Sequence, residues 1–457
     1  MAIETFNPAT GEKLCSYPEH TSAQCRAMVD ETAKAGIGWR RTRIEERAQV
    51  IRAAATKLRS RKTDLARLMA LEMGKPLSQG EAEIEKCAWA CDYFAAETVH
   101  FLAPRRLEPE AESRSSIVFE PLGVILAIMP WNFPFWQVFR AAVPALMAGN
   151  SMLLKHASNV AGCALAIAEV FQQAGLPKEV FQAVLIGSKQ VSELIAHPAI
   201  AGVTLTGSTE AGKAVAAQAG GLLKKTVLEL GGSDPYIILE DAALEKAAKI
   251  CAESRLLNAG QSCIAAKRFI VVRSVFEKFQ QAFLECMRAT TVGDPLTAGV
   301  TMGPLARPDL RETLQRQVDS SVAAGAEILL GGEIPAGGGA FYPPTIVTKV
   351  GTQMAVFQEE TFGPVAAIIE AADERDAIAL ANDTVFGLGA AIFTGDVERG
   401  ERIAAEQLEA GSCFVNDFVK SDPRLPFGGI KQSGYGRELS NFGVYEFVNI
   451  KTVRVRA

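Results

Sequence analysis

The spacing of hydrophobic positions changes once along the chain. Over the first hundred residues, apolar side chains recur at the intervals of an amphipathic helix, and Thr21 and Gln24 have the spacing of a capping box where one such segment begins. From Ser116 onward, short runs rich in Val, Ile and Leu alternate with helical segments. This alternation predicts a helical N-terminal region followed by a parallel sheet that helices cover on both faces.

A second series of such runs begins after VLELGG and continues through LGAAIFTG, which predicts another α/β domain. At 457 residues the chain is too long for one ordinary core, and no linker rich in Pro, Gly or Ser separates the halves. We therefore expect two closely packed domains with a cleft between them, and a surface loop at the glycine-dense stretch GGEIPAGGGAFYPPT. Ligands are expected at the carboxyl ends of the parallel strands.

The composition excludes several classes of protein. Hydrophobic residues make up 48% and charged residues 22%, with a formal net charge of -5, so we expect neither disorder nor nucleic-acid binding. We find no pattern of a signal peptide and no uninterrupted apolar stretch that would span a bilayer, so we expect a cytoplasmic protein without membrane contact. The nine scattered cysteines suit reduced thiols, and the four histidines complete no zinc pattern, so no metal is expected.

The stretch TLTGSTEAGKAV suggests a phosphate-binding turn. Gly207, Gly212 and Lys213 have the register of a P-loop, but Ala214 stands where a hydroxyl would bind magnesium. A strand, a glycine turn and a helix N-terminus would suit a pyrophosphate without magnesium. Gly187 follows another predicted strand of the same sheet.

Three residues could carry chemistry. Cys263 lies in a glycine-containing polar stretch between a predicted helix and a strand, which favours a reactive loop thiol over a buried structural cysteine. Glu229 ends an apolar strand, where burial would raise its pKa and make it a general base; a solvated strand-end acid is the alternative. Asn132, between two prolines in apolar surroundings, could donate to an oxyanion.

Six motifs together carry a family resemblance. In chain order they are PWNFP, TGSTEAG, LELGG, GQSC, EETFGPV and PFGGIKQSGYGRE. With them the chain resembles the aldehyde dehydrogenase superfamily over essentially its whole length, and the separation of Glu229 and Cys263 matches that family's spacing. The resemblance implies an α/β fold with a Rossmann-like dinucleotide-binding domain, a second α/β catalytic domain and a small β oligomerisation ribbon.

The resemblance also divides the chain into domains. It implies a cofactor-binding domain over 1–99 and 119–231 and a catalytic domain over 232–432. The stretches 100–118 and 433–457 are then oligomerisation elements, and their alternating patterns suit exposed ribbons that pair with another subunit. We accordingly expect a homodimer or a homotetramer.

By resemblance, Cys263 is the nucleophile that adds to an aldehyde, while the Asn132 amide and the Cys263 backbone N–H hold the oxyanion. Hydride passes to a nicotinamide, and Glu229 activates the water that hydrolyses the resulting thioester to a carboxylic acid. A small-molecule aldehyde is thus the expected partner, with NAD or NADP as cofactor.

The resemblance assigns a set of residues to the cofactor. Glu360 matches the residue that holds the nicotinamide ribose, Phe362 packs near the nicotinamide, and Lys155 bonds the adenosine ribose. Ser208 lies where the pyrophosphate meets a helix. The remaining positions of this site are Trp131, Gly187, Gly207, Gly212 and Leu230.

One departure from the family concerns the choice between the two cofactors. NAD-selective members often carry a glutamate three residues after the ribose lysine, where this chain has Ser158. A neutral hydroxyl tolerates a 2′-phosphate, so we expect NADP to be used in preference to NAD.

The substrate residues rest on a narrower resemblance, to the bacterial succinate-semialdehyde dehydrogenase branch. It implies that Arg140 binds a substrate carboxylate, that Ser421 and Arg424 assist, and that Trp136 lines the aldehyde tunnel. The alternative for Arg140 is a salt-bridge residue on a helix surface. Leu257 and Ala265 stand where many members have an arginine and a second cysteine. The leucine weakens the case for a dicarboxylate-type substrate, and the missing cysteine removes a redox-switch disulfide. A broad-specificity aliphatic or aromatic aldehyde dehydrogenase is the alternative within the family.

Three other classes account for only part of the pattern. A P-loop NTPase needs a hydroxyl at position 214. A cofactor-independent thiol esterase could use Cys263 and Glu229 alone. A non-catalytic scaffold on the same fold would not need Cys263, Glu229 and Asn132 together.

Overall fold

The computed structural model describes residues 2–108 and 113–456. Its strands are β1 Ala2–Phe6, β2 Lys13–Pro18, β3 Arg105–Arg106, β4 Ser113–Pro121, β5 Val124–Met129, β6 Ser151–His156, β7 Phe181–Ala183, β8 Ile200–Thr206, β9 Lys225–Glu229, β10 Asp234–Ile238, β11 Ala266–Val272, β12 Glu327–Leu330, β13 Thr345–Thr348, β14 Val365–Ala371, β15 Gly389–Phe393, β16 Ser412–Val415, β17 Gly434–Tyr435 and β18 Val448–Arg456.

Helices occupy much of the N-terminal region and the crossovers between strands. They are α1 Ser22–Trp39, α2 Ile44–Ser60, α3 Lys62–Met73, α4 Leu77–Phe101, α5 Trp136–Met147, α6 Ala161–Gln173, α7 Val191–Ala196, α8 Thr209–Gly221, α9 Leu244–Leu256, α10 Phe276–Arg288, α11 Pro308–Ala323, α12 Ala355–Gln358, α13 Glu374–Asn382, α14 Val397–Glu406 and α15 Ser440–Tyr445. The capping box predicted at Thr21 and Gln24 is present at the start of α1.

The strands form two large sheets, and the α/β fold class is confirmed. The first sheet has the order β17-β9-β8-β5-β6-β7, and the second has the order β12-β13-β14-β11-β10-β15-β16. Neighbouring strands are parallel except at β17 and β12, because helical crossovers join strands in the same direction. The chain passes from the first sheet to the second between β9 and β10.

The order of the first sheet explains where its loops meet. From β5 the chain crosses to β6 on one side, and it later returns to place β8 on the other side of β5. The carboxyl ends of β5 and β8 therefore flank a topological switch point, where open α/β sheets bind ligands. The loop with Asn132 follows β5, and the Gly207 turn follows β8.

The predicted ribbons pair within one chain. β18 is antiparallel to β4, and β4 to β3, in a sheet separate from the two large ones. Residues 109–112 of the predicted element 100–118 lie outside the described residues, as do Met1 and Ala457. One assignment is wrong: Gly434 and Tyr435, placed in the oligomerisation element, pair with Leu228 and Glu229 and close the first large sheet.

No helix within residues 2–108 and 113–456 is both long and apolar enough to cross a membrane. Over the same ranges, no group of three His, Cys, Asp or Glu side chains is arranged to hold a metal ion.

Candidate active site

Cys263 lies in the loop between α9 and β11, as the sequence predicts. The loop begins with a tight turn in which Asn258 and Ala259 adopt left-handed backbone conformations, with φ of 54° and 53°. The Asn258 amide group donates to the Asn132 carbonyl oxygen over 2.7 Å, and its backbone N–H donates to Gln79 over 2.9 Å. Residues other than glycine keep a left-handed backbone conformation only when the surrounding structure holds them in it, and these two hydrogen bonds do so here.

The Cys263 side chain borders a cavity of about 390 Å³. Burial raises the pKa of the thiol to about 12, against the positive charges of Arg140 and Lys267. The Lys267 ammonium donates to the carbonyl oxygens of Cys263 over 2.8 Å and of Ser262 over 3.0 Å, so it fixes the backbone on both sides of the reactive residue. None of the described residues that line the cavity is a histidine.

Asn132 is buried beside this loop. Its Nδ2 atom donates to the carbonyl oxygen of Gln261 over 3.0 Å, and its Oδ1 atom accepts from Gln137 over 2.9 Å. An amide nitrogen has two N–H groups. One is therefore used to position the loop that carries Cys263, and the second remains for another acceptor.

Glu229 ends β9 and is 1% exposed. Within the described part of the chain, neither carboxyl oxygen has a hydrogen-bond partner, although Arg140 Nη2 lies 3.9 Å from Oε2. Burial raises the pKa of Glu229 well above its usual value, against the attraction of Arg140. The negative charge of Glu229 in turn raises the pKa of Cys263, so the two groups interact electrostatically.

Arg140 borders the cavity but does not present a free guanidinium to it. The group is buried, forms an ion pair with Glu438 through Nε, and donates from Nη2 to Thr206 over 3.2 Å. It also lies over the Phe427 ring, 4.8 Å from the centroid. The alternative of a surface salt bridge is wrong because the pair is buried, and the predicted carboxylate contact would compete with Glu438 and Glu229.

Trp136 and Ser421 both line the cavity, and they contact each other. Trp136 Nε1 donates to Ser421 Oγ over 3.1 Å. Leu257 and Ala265, the two departures from the family pattern, also border the cavity.

The prediction for Arg424 is wrong. Its guanidinium is largely exposed and bonds to Asp422 over 2.9 and 2.6 Å, and the residue does not border the cavity. The ion pair with Asp422, only two residues away, directs the Arg424 side chain along its own loop.

The sequence interpretation missed Lys86, a cationic residue of the cavity. Lys86 lies on α4, with its Nζ atom 4.4 Å from the centroid of the Trp136 ring and 2.9 Å from Ser421 Oγ. The signal that could have found it is its spacing of three residues from Glu83, a buried residue on the same face of α4.

The TLTGSTEAGKAV stretch folds as a strand, a turn and a helix, as predicted. β8 ends at Thr206, Gly207 makes the turn, and Ser208 caps α8 by accepting from the backbone N–H of Ala211 over 3.3 Å. Gly212 lies against Leu230: a Cβ atom there would be 2.5 Å from both terminal carbons of that side chain. The glycine thus lets the helix approach the end of β9, which is one of the uses of glycine in dinucleotide-binding turns.

Lys155 and Ser158 face a second cavity of about 910 Å³. Burial lowers the pKa of Lys155, and among the described residues no acceptor bonds to its ammonium. Gly187 lies four residues after the end of β7, the strand next to β6, and precedes a single turn of 3₁₀ helix at Ser188–Gln190. These residues all lie at the same edge of the first sheet as the Gly207 turn.

Trp131 follows β5 of the first sheet, and Glu360 and Phe362 precede β14 of the second sheet. The Trp131 and Phe362 rings meet edge to face with centroids 5.7 Å apart. Glu360 accepts from the backbone N–H of Gly232 over 3.1 Å and lies 3.8 Å from Lys267. Because Lys267 also holds the Cys263 backbone, the predicted cofactor residue and the reactive loop share one cation.

Comparison with known proteins agrees with this arrangement. The profile of the "Aldehyde dehydrogenase family" matches residues 1–453. The chain is 50% identical over 453 residues to a "Probable succinate-semialdehyde dehydrogenase [NADP(+)]" of Synechocystis sp., with 99% of each chain covered. It is 48% identical to the "Succinate semialdehyde dehydrogenase [NAD(P)+] Sad" of Escherichia coli, covering 98% of this chain and 97% of that one.

A solved structure has nearly the same fold as this chain. The crystal structure of succinic semialdehyde dehydrogenase from Streptococcus pyogenes in complex with NADP+ superposes with a TM-score of 0.97 at 36% identity, covering 100% of both chains. The profile match over residues 1–453 and the similarity to these relatives over nearly the whole chain show that the protein belongs to the aldehyde dehydrogenase family.

Proposed function

We propose that this aldehyde dehydrogenase oxidises succinate semialdehyde to succinate, with NADP as the preferred cofactor and NAD as the weaker one. The observation that carries the substrate is the cavity of about 390 Å³, in which the Cys263 thiol is accompanied by the cationic side chains of Arg140 and Lys86. The two relatives described above, at 48% and 50% identity, carry names that support the same assignment.

Cys263 is the nucleophile of the proposal. Its sulfur adds to the aldehyde carbon as a thiolate, which forms a C–S bond and moves an electron pair onto the aldehyde oxygen. Because burial raises the pKa of the free thiol to about 12, the proton must leave to a base when substrate binds. Arg140 and Lys267 favour the thiolate through their positive charges.

Asn132 stabilises the oxyanion in this proposal. The second N–H of its amide, together with the backbone N–H of Cys263, donates to the negative oxygen. Such preorganised donors lower the free energy of the transition state because they need not reorient when the charge develops. The bonds from Asn132 to Gln261 and Gln137 keep the amide plane fixed.

Glu229 is the general base for hydrolysis of the thioester. It takes a proton from the attacking water, and the C–S bond then breaks to release the carboxylic acid and the Cys263 thiolate. A carboxylate with a raised pKa is a stronger base than an exposed one, and burial together with the negative charge of Glu438 raises the pKa of Glu229 against the attraction of Arg140.

The residues at the edge of the first sheet fit a dinucleotide. The unpartnered Lys155 ammonium faces a large cavity, and the Ser208 cap begins a helix whose N-terminal N–H groups suit a pyrophosphate. When bound, the nicotinamide of this cofactor accepts the hydride that leaves the substrate carbon. Lys155 and Ser158 would hold the ribose and its 2′-phosphate, while Glu360 would hold the nicotinamide ribose.

We further propose a homodimer or homotetramer that acts in the cytoplasm. β18 is the edge strand of its sheet, and every residue after Val448 in it is exposed, including Ile450 at 57%. An exposed edge strand with apolar side chains is suited to pairing with another subunit. Sedimentation that gives a monomer at micromolar concentration would contradict this part of the proposal.

Initial rates of nicotinamide reduction test the substrate and the cofactor together. Succinate semialdehyde and butanal, which have equal carbon chains, are each compared with NADP and with NAD. We expect the charged aldehyde and NADP to give the highest kcat/KM. Equal values for the two aldehydes would instead support a broad-specificity enzyme, which the apolar side chains of Phe133, Ile264 and Phe418 in the cavity would also suit.

A further inference from the structure

Of the cations that border the Cys263 cavity, Arg140 is already neutralised. Glu438 forms an ion pair with its Nε atom, and Glu229 lies 3.9 Å from Nη2. To bind a substrate carboxylate, Arg140 would have to bring a third negative charge into the same buried cluster. Like charges at such separations repel strongly when they are desolvated.

Lys86 has no such counter-ion. Within the ranges 2–108 and 113–456, no carboxylate oxygen lies within 4.0 Å of its Nζ atom. The two acids whose charges act on Lys86 are already paired with other cations: Glu83 with Lys75, and Asp422 with Arg424. The Lys86 ammonium therefore retains an uncompensated charge at the cavity wall.

The contacts of Lys86 leave it able to donate further. An ammonium has three N–H groups, and the bond to Ser421 Oγ over 2.9 Å accounts for one of them. Ser421 Oγ also accepts from Trp136 Nε1, so its own hydroxyl proton is free to point elsewhere. The Lys86 ammonium also lies over the face of the Trp136 ring, 4.4 Å from its centroid, in a cation–π contact. Lys86 and the Ser421 hydroxyl together form a two-donor site.

We propose that Lys86, assisted by the Ser421 hydroxyl, binds the carboxylate end of an anionic aldehyde whose carbonyl reacts at Cys263. This inference rests on the proposed oxidation of succinate semialdehyde and names the residue that selects its charged end. Arg140 then serves to hold Glu229 and Glu438. A carboxylate at Lys86 would supply the counter-ion that the protein itself does not.

The electrostatic state of Lys86 agrees with this role. Burial, followed by the like charge of Arg140, lowers the pKa of Lys86 to about 8, while Cys87, Glu83 and Asp422 act in the opposite direction. In the free enzyme the ammonium is charged below about pH 8 and loses its proton above it. Recognition of an anion should therefore weaken as the pH rises through this range.

The variant Lys86→Met tests the proposal, because it keeps the length and the apolar stem of the side chain. We expect kcat/KM for succinate semialdehyde to fall by about 100-fold, mainly through KM, since a charge-assisted contact is lost. For butanal, kcat/KM should change by less than about threefold. Lys278→Met, which removes an exposed lysine from α10, is the matched control and should change neither value.

The outcomes separate this inference from the proposed function. If the wild-type enzyme itself does not prefer succinate semialdehyde to butanal, the proposed substrate is wrong, and the role of Lys86 is wrong with it. If the wild type has the preference and Lys86→Met keeps it to within about threefold, the substrate stands and Lys86 is not its carboxylate site.

A pH profile of the wild-type enzyme decides the question if the variant does not fold. The ratio of kcat/KM for the two aldehydes cancels the titration of groups that serve both, such as Cys263 and Glu229. We expect this ratio to fall by about tenfold for each pH unit above about 8. A ratio that stays constant from pH 7 to pH 9.5 would overturn the assignment of Lys86.

Discussion

Replacement of Arg140 by methionine should damage folding more than substrate binding. The guanidinium lies between Glu438 and Glu229 in a site that solvent does not reach. At an effective dielectric constant of about 20, two unit charges 3.9 Å apart attract by about 4 kcal/mol. Removal of one partner of a buried ion pair typically destabilises a protein by about 3–5 kcal/mol, and we expect a loss of this size for Arg140→Met.

The pH dependence of that loss has a definite sign. Burial already raises the pKa of Glu438 and of Glu229, and loss of Arg140 should raise both further. Folded carboxyl groups with raised pKa hold their protons more tightly than unfolded ones, so stability falls as the pH rises. The deficit of the variant should accordingly be smaller near pH 5 than near pH 8.

Urea unfolding at fixed protein concentration measures this effect, with tryptophan fluorescence as the signal and wild type as reference. Lys278→Met again serves as the control for loss of a positive charge. The reasoning is refuted if Arg140→Met unfolds within about 0.5 kcal/mol of wild type and only the KM for succinate semialdehyde rises, since Arg140 would then be a substrate ligand.

Three further substitutions test other parts of the site. Glu229→Gln should leave a rapid burst of one reduced nicotinamide per active site but slow steady turnover by about 10²–10⁴-fold, because the thioester then lacks its base; a slowed burst would place Glu229 in an earlier step. Ser158→Glu should lower kcat/KM with NADP by about 100-fold and spare NAD, since a carboxylate repels a 2′-phosphate; unchanged discrimination in initial rates would refute this. Gly212→Ala should destabilise the protein by about 1–3 kcal/mol through its contact with Leu230, whereas Gly220→Ala on the same helix, with open space around it, should not, as thermal unfolding would show.

The sequence predicted the parts of the site that depend on local patterning. The turn at Gly207 and Ser208 follows from a strand, a glycine and a helix cap in succession. The loop of Cys263 follows from its polar flanks between a helix and a strand. In both cases the elements formed as expected because the residues that determine them are neighbours in the chain.

The pairing of charges could not be predicted in this way. Arg140 meets Glu438 only because α5 and the C-terminal segment pack on the same sheet, and nothing in the sequence around either residue indicates the other. Lys86 lies on a helix with several acidic residues, where a solvated position is the ordinary expectation. Its place at the cavity depends on how α4 packs against α5, a tertiary contact that hydrophobic periodicity does not specify.

The strand β17 has a consequence for the synthesis of the protein. Gly434 and Tyr435 complete the edge of a sheet whose other strands lie between residues 124 and 229, and the backbone of Ser433 accepts from Leu230 over 3.0 Å. A ribosome therefore translates some two hundred further codons before β9, which ends in Glu229 and pairs with β8 on its other side, gains this second neighbour. The first large sheet of the nascent chain has an unpaired edge throughout that interval, and a chain that terminates early lacks the segment that pairs with Glu229, the general base of our proposal.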